Sequence, residues 1–463
     1  MKGKTIKTDV IIAGAGLTGL TLAFYLKRKG IRCTLAEKEQ RPGGVIRTYR
    51  QDGFTYEAGP NTGVLANLEA MNLFKDLGGA CTLEVANPEA KRRLIWKDGK
   101  WHCLPGGLAQ AVTTPLFTFR DKLRILGEPF RRKGQDPMES VAQLVRRRMG
   151  DSFLDYAVDP FISGIYAGDP DRLITRFALP KLYNLEQTHG SFIGGAIKKK
   201  VGPQGPRPSR EVFSVFGGLE NLTRALAEAV GEESFLFGAQ HTRIQPHREG
   251  FSLTSLVGET PYQVVAPLAI TTTGAPSLPS LLPFVREDLM EPLTRLEYAR
   301  IVQVVLGFHD WKGANIRAFG GLVPTREQRR ILGILFTSSF LKDRAPAGGA
   351  LLNVFMGGIR RPEYFEWTDD KILDTLREEV MEMMRLSDFN PALVKVFRYR
   401  HAIPQYGADS EQRLEAIRQV QTDYPGLLLA GNLHEGIGIA DRVAQSIRLA
   451  GTVEHLLELL RQD

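Results

Sequence analysis

The sequence predicts an α/β fold built on a parallel sheet, with an α+β region and a helical lobe added to it. Two observations carry the parallel sheet. Asp9–Ala13 contains a short β-branched run, and apolar residues then recur with helical spacing at Leu20, Ala23 and Phe24 before a second run at Ile31–Ala36. Strand, helix and strand within so short a stretch imply parallel pairing through a right-handed crossover. A third observation carries the lobe. From Gly106 to about Lys200 large apolar residues (Leu116, Phe117, Phe119, Leu123, Ile125, Leu126, Phe130) are interleaved with Arg120, Lys122, Arg124, Arg131, Arg132 and Lys133.

The remaining elements follow in order. Val201–Arg210 is rich in Pro and Gly and reads as a linker. The βα pattern returns at Phe213, with a helix over 219–230 and short strands between 235 and 270 around Arg248–Gly250. Strands are expected at 300–308, 331–337 and 350–356, and helices at 371–384 and 410–424. A strand at 426–430, a glycine-rich turn and a helix over 440–460 close the chain.

With 463 residues, 43% hydrophobic and 24% charged, the chain is long enough for two or three lobes with sizeable cores. The net charge of +8 favours anionic partners, whether phospholipid, nucleic acid or carboxylate substrates. Cys33, Cys81 and Cys103 are scattered, which suggests neither a disulfide framework nor a metal site and fits a reducing compartment. Met1–Thr8 lacks the features of a secretory signal, and no apolar run approaches a bilayer span. The expected location is cytoplasmic or peripheral on a membrane.

Gly14-Ala15-Gly16-Leu17-Thr18-Gly19 is a GxGxxG between the first strand and the first helix. Gly14 makes the tight turn, Gly16 lets the backbone approach a pyrophosphate, and Gly19 lets helix and strand pack closely. The helix N-terminus then faces the anion. Glu37, at the end of the second strand, can accept hydrogen bonds from a ribose diol. These residues define a dinucleotide site but leave NAD and FAD open.

Further blocks carry a resemblance. Arg41-Pro42-Gly43-Gly44-Val45-Ile46-Arg47-Thr48 resembles the R-x-G-G-R-x-x-[TS] signature of flavin-dependent amine oxidases, desaturases and porphyrinogen oxidases, with Val45 where many relatives carry arginine. Glu57–Asn61 resembles the E-x-G-P turn of those flavoproteins, and Gly431–Ile439 their C-terminal flavin-contacting turn. Phe161–Pro170, Leu185–Gly195, Phe213–Leu219, Phe319–Pro324 and His401–Tyr406 are similar to segments of the protoporphyrinogen and coproporphyrinogen oxidase family.

The resemblance implies a discontinuous Rossmann-like FAD-binding domain (1–75, 206–269 and 401–463), a substrate domain (76–105 and 270–400) and a helical membrane-associating lobe (106–205). It implies FAD held by Gly14, Ala15, Gly16, Leu17, Thr18, Gly19, Glu37, Lys38, Gly44, Val45, Arg47, Gly59, Pro60, Asn61, Thr62, His241 (through its backbone), Ile437, Gly438 and Ile439. A helix N-terminus near the flavin would stabilise the reduced, anionic ring.

The implied reaction is three two-electron oxidations of a porphyrinogen, with molecular oxygen as acceptor, in haem biosynthesis. Arg93, preferred over its neighbour Arg92, would grip a propionate. Gly164, Gly320, Leu322, Phe355 and Met356 would line an apolar slot, although core packing explains Leu322 and Phe355 nearly as well. No residue reads as a general base, and His434 reads as a surface-loop histidine.

The interleaved apolar and basic residues of the lobe suit an anionic bilayer surface; burial of the apolar residues within the lobe is the alternative. No nucleic-acid module accompanies the basic runs. Protoporphyrinogen and coproporphyrinogen remain open as substrates. An amine or polyene oxidase and a flavin-bearing subunit without turnover are the more distant alternatives. A homodimer is among the assemblies allowed.

Overall fold

Four of the five residues of Asp9–Ala13 become the centre of a sheet. Val10–Ala13 is fully buried and pairs in parallel with Cys33–Glu37 on one side and Leu268–Thr271 on the other. Phe235–Phe237 and Leu427–Leu429 complete a five-stranded parallel sheet, in which strands from both ends of the chain lie beside a middle piece. The structure, a computed structural model, describes residues 3–195 and 207–462. Lys198–Lys200 and most of the expected linker, 201–206, therefore lie outside the described residues.

Two expected domain boundaries cut strands. The strand Leu268–Thr271 crosses 269/270, so its whole length belongs to the parallel sheet. Leu393–Pro404 crosses 400/401 and pairs antiparallel with Tyr298–Phe308, so its last residues belong to the other large sheet. Each strand continues unbroken through its boundary, which no change in composition marks.

Helices Leu17–Arg28, Glu220–Val230 and Ile439–Leu459 cover the parallel sheet and share one apolar core with it. The short strands expected at 235–270 are longer than foreseen. Ala239–His247, Gly250–Val257 and Thr260–Ala266 form an antiparallel meander with Lys4–Lys7 added in parallel.

The second large sheet has seven strands. Tyr298–Phe308 is buried on both faces. One face, through Val302, Val304, Leu352, Val354 and Met356, packs on the helix Asp369–Met384. The opposite face turns towards the Arg47–Gln51/Phe54–Ala58 hairpin, where Val305 and Leu351 meet Phe54 and Tyr56.

The lobe is helical, as expected. One continuous helical stretch runs from Asp151 to Tyr166 and contains two π turns, Leu154–Val158 and Ile162–Tyr166. The apolar array divides: Leu116 and Phe117 are core, while Phe119, Leu123, Leu126 and Phe130 are exposed, Phe130 at 90%. The basic residues Arg146–Arg148 are each ion-paired. Arg148 is wholly buried between Glu128 (2.5 Å) and Glu186 (2.6 Å), Arg147 pairs with Glu139 and Glu186, and Arg146 with Asp171. Paired carboxylates make this burial tolerable. Glu128 also accepts from the Ser191 hydroxyl and the Phe192 and Ile193 amides, which anchors the start of the 190–195 segment.

Candidate flavin and substrate site

The sheet's parallel order places the ends of its strands at one edge, where open α/β sheets bind their ligands. The glycine turn after Ala13 and the turn after Leu429 therefore meet there. Thr272, just past the intervening strand, donates through Oγ1 to the Ala13 and Gly14 carbonyls.

Within the GxGxxG the glycines divide their roles sharply. Gly14 has φ +103°, a backbone that favours glycine. A Cβ on Gly19 would overlap the Gly14 carbonyl oxygen, so only glycine allows this approach of helix and strand. A Cβ on Gly16 would meet nothing within 4 Å. Gly16 thus borders open space at the N-terminus of a helix that has no side-chain cap and no acidic residue in its first turn. That is an anion cradle.

Glu37 is buried and already bonded. Its carboxylate accepts from the Ala15 amide (2.8 Å) and the Glu39 amide (3.0 Å), so it holds the glycine loop while keeping lone pairs for a further donor. Gly43 donates to the Ala15 carbonyl, which ties the arginine–glycine block to the same loop. Gly44 lies against Gly16, Val45 is exposed, and Arg47 stacks over Tyr49 at 4.8 Å. Leu17 is core, and the Thr18 carbonyl accepts from Ser446 of the last helix. Lys38 is bonded through its carbonyl to Gln240, and the neighbouring His241 is exposed with φ +53° on a bulge. Backbone around 238–241 therefore borders the end of the Cys33–Glu37 strand.

Gly59 has φ +92° and packs on the Val45 carbonyl. Pro60 and Thr62 are half-buried beside Asn61, whose buried Oδ1 has no hydrogen-bond partner among the described residues; Thr273 Oγ1, near Gly14, likewise has none. Orphaned buried polar atoms beside an open glycine cradle fit a polar ligand such as FAD.

The C-terminal turn is built by residues that the sequence did not single out. Arg442 is buried and donates to the Gly431, His434 and Glu435 carbonyls, fixing the turn that precedes the last helix. Gly438 begins that helix, Ile437 packs on the core and the Ile439 side chain is itself core. His434 is not a surface-loop histidine. Its ring bonds to the Leu429 carbonyl at 3.2 Å, its side chain is 19% exposed, and burial pushes its pKa down.

Glu57 also has a structural role. Buried at 1%, it accepts from Thr48 Oγ1 (2.6 Å), the Leu219 amide and Arg344 (3.2 Å). Arg344 in turn meets Glu84 at 3.3 Å. Burial raises the Glu57 pKa, against the pull of Thr48 and Arg344.

Of the five expected slot residues, three converge. Gly164, in the second π turn, lies against Leu322, with no room for a side chain between them. Leu322 is joined through Gly333 to Phe355, since the three are cross-strand neighbours. Phe355 is on the sheet face of Gln303, whose amide reaches the Glu57 carbonyl at 2.8 Å. Gly320 pairs with both Arg93 and Leu335 in a close approach of strands. Met356 is a correction. It is fully buried on the opposite face, because side chains alternate along a strand, and it packs under the Asp369–Met384 helix.

Tyr399 joins the Phe355 side; it packs with Ile301 and Phe355 and approaches the Gly59 backbone. Burial pushes its phenol up to about 12. Alternation from Phe397 to His401 could have found it.

Arg93 is exposed at the edge of this region, with its guanidinium 5.7 Å from the Phe319 ring and no acidic partner among the described residues. Arg92 is bound to the Arg317 carbonyl at 2.9 Å. Of the two, Arg93 is the cation that a carboxylate could engage.

The chain belongs to the family of flavin containing amine oxidoreductases, whose pattern matches residues 17–450. It is 27% identical to protoporphyrinogen oxidase 2, chloroplastic/mitochondrial, of Arabidopsis thaliana over 98% of this chain and 95% of that protein. It is also 27% identical to coproporphyrinogen III oxidase of Bacillus subtilis, over 95% of this chain and 96% of that one. A crystal structure from Exiguobacterium sp. 255-15 shares the fold at TM-score 0.81 and 24% identity, covering 99% of this chain and 100% of that one. The crystal structure of reduced UDP-galactopyranose mutase shares it at TM-score 0.74 and 16% identity, covering 98% and 96% respectively. The chain is thus similar along nearly its whole length to porphyrinogen oxidases of both kinds.

Proposed function

We propose that the protein is an FAD-dependent oxidase that converts protoporphyrinogen IX to the porphyrin in three two-electron steps, with molecular oxygen as acceptor, in haem biosynthesis. The observation that supports this reading is an exposed cation, Arg93, with no acidic partner among the described residues, on the strand paired with the one that carries Leu322, where Gly164, Leu322 and Phe355 form an apolar face next to the Glu57–Asn61 turn. Gly16, Glu37, Asn61 and the Gly438 helix start would hold the FAD. When bound, the flavin supplies hydride acceptance. The chain's own part is to orient a flexible macrocycle, to keep water from one face of it and to hold one propionate. No side chain is assigned as a base.

Coproporphyrinogen III remains the second reading, supported by the Bacillus subtilis relative. Porphyrin fluorescence formed from each porphyrinogen in parallel under air tests the choice. Faster turnover of protoporphyrinogen supports the first reading, and a clear preference for coproporphyrinogen replaces it with the second. In the same assay Arg93→Ala raises KM about tenfold, corresponding to ~1.4 kcal/mol of lost binding, with flavin content unchanged. Loss of flavin instead would mean that Arg93 belongs to the cofactor site.

We also propose that the exposed Phe119, Leu123, Leu126 and Phe130, flanked by Arg120, Arg132 and Lys133, rest on an anionic bilayer. No helix among the described residues is long and apolar enough to cross a membrane. Phe119→Ser with Phe130→Ser should lower binding to phosphatidylserine-containing vesicles at least about tenfold, since each buried Phe contributes roughly 1.5–3 kcal/mol. Unchanged co-sedimentation would refute this contact.

A further inference from the structure

We infer that Arg360 is a positioning residue for the slot: a single guanidinium joins the three chain segments that carry Gly164, Leu322 and Phe355. The inference rests on the substrate site proposed above.

Each segment reaches Arg360 by a different route. The Ala350–Gly357 strand carries Phe355 and leads directly into Gly358, Ile359 and Arg360. Leu322 lies three residues before Thr325, whose hydroxyl accepts from Arg360 Nη1. Gly164 lies between Asp159 and Asp169. Arg360 Nη1 meets Asp159 at 2.5 Å and Nη2 meets Asp169 at 2.8 Å.

Secondary bonds close the network. Asp159 accepts from the Thr325 amide at 2.8 Å and from its hydroxyl at 3.1 Å, and Ile359 donates to the Ala167 carbonyl at 2.9 Å. Two carboxylates and a hydroxyl around one rigid fork fix both distance and orientation. Burial would raise the Asp169 pKa, but its bonds to Arg360 and the Asp171 amide outweigh burial and hold it below the usual carboxylate range, so the pair stays charged.

What this clamp holds is the end of a helix interrupted by a π turn. The stretch from Asp159 to Tyr166 includes the second π turn and ends at Ala167 with φ +49°. π turns are rare and commonly mark functional positions. Gly164 sits in that turn against Leu322, so a small movement of the helix changes this apolar face directly. Arg360 touches none of the expected flavin-binding residues. Its loss should therefore affect substrate fit before cofactor retention.

The test compares flavin-loaded wild type with Arg360→Met, Arg360→Lys and Asp169→Asn. Arg360→Met is expected to raise KM for the better porphyrinogen about tenfold, with kcat within about twofold and flavin content unchanged. Arg360→Lys and Asp169→Asn, which each keep part of the network, fall between. Amide exchange in Arg360→Met should speed up in 159–169 and 322–326 only. Unchanged KM and exchange overturn the assignment. So does a parallel loss of kcat, flavin and global protection, which is the signature of a merely structural residue. Should wild type oxidise neither porphyrinogen, the proposed reaction fails, and the exchange pattern alone decides whether the clamp exists.

Discussion

Gly16→Val abolishes flavin binding while leaving the fold intact. Gly16 has φ −72° and ψ −177°, which any residue adopts, and a Cβ there meets nothing within 4 Å. The side chain would instead occupy the cradle at the helix N-terminus, where a pyrophosphate must lie against the backbone. Flavin affinity should fall at least about 100-fold, or ~2.7 kcal/mol, with the circular dichroism of the flavin-free protein unchanged. Gly19→Ala is the informative contrast. Its Cβ overlaps the Gly14 carbonyl oxygen, so that variant loses stability before any ligand is added. Equal flavin retention in Gly16→Val and wild type would place the cofactor elsewhere.

Arg344→Met has the largest expected effect on stability. Arg344 is 1% exposed and serves Glu57, Glu84 and Ser214 together, linking the hairpin before Gly59, the Leu83–Val85 strand and the Val212–Val215 strand. Removing it leaves two buried carboxylates without their shared counter-ion, which costs about 3–5 kcal/mol. Denaturant titration of the purified variant reads this directly.

The deficit should shrink as pH falls. Glu57 already has a raised folded pKa, and losing the guanidinium raises it further above the unfolded value. A carboxyl raised in the folded state is relatively stabilising when protonated and loses that contribution as pH rises through its folded value. The triple variant Glu57→Gln, Glu84→Gln, Arg344→Met should recover most of the loss, because the unpaired charges are gone. A deficit in the triple variant as large as in the single one would mean that packing, not charge, governs the site.

The parallel sheet was legible because its strands are short, buried on both faces and close to glycines with a stated steric purpose. Asp9–Glu37 could be read locally for that reason. The seven-stranded sheet was less so. Met356 illustrates this: its side-chain direction depends on the exact register of Ala350–Gly357, which composition does not carry.

Ion pairs were the least legible feature. Arg148, Arg344, Arg360 and Arg442 look like surface residues in sequence, yet their partners lie 20 to 287 positions away, except where Arg442 binds carbonyls of its own turn. Phe119 and Phe117 differ by two positions and have opposite fates, since one begins a solvent-facing helix and the other fills the core against Phe153. Periodicity predicts that such a face exists but not which side a neighbouring element covers.

Anaerobic mixing of the flavin-loaded protein with protoporphyrinogen tests the central claim most directly, because it separates the redox step from oxygen and from any later acceptor. The oxidised-flavin absorption should bleach within the mixing experiment, porphyrin fluorescence should appear in step, and admission of air should restore the yellow colour. Persistence of the oxidised-flavin spectrum with both protoporphyrinogen and coproporphyrinogen would contradict the account.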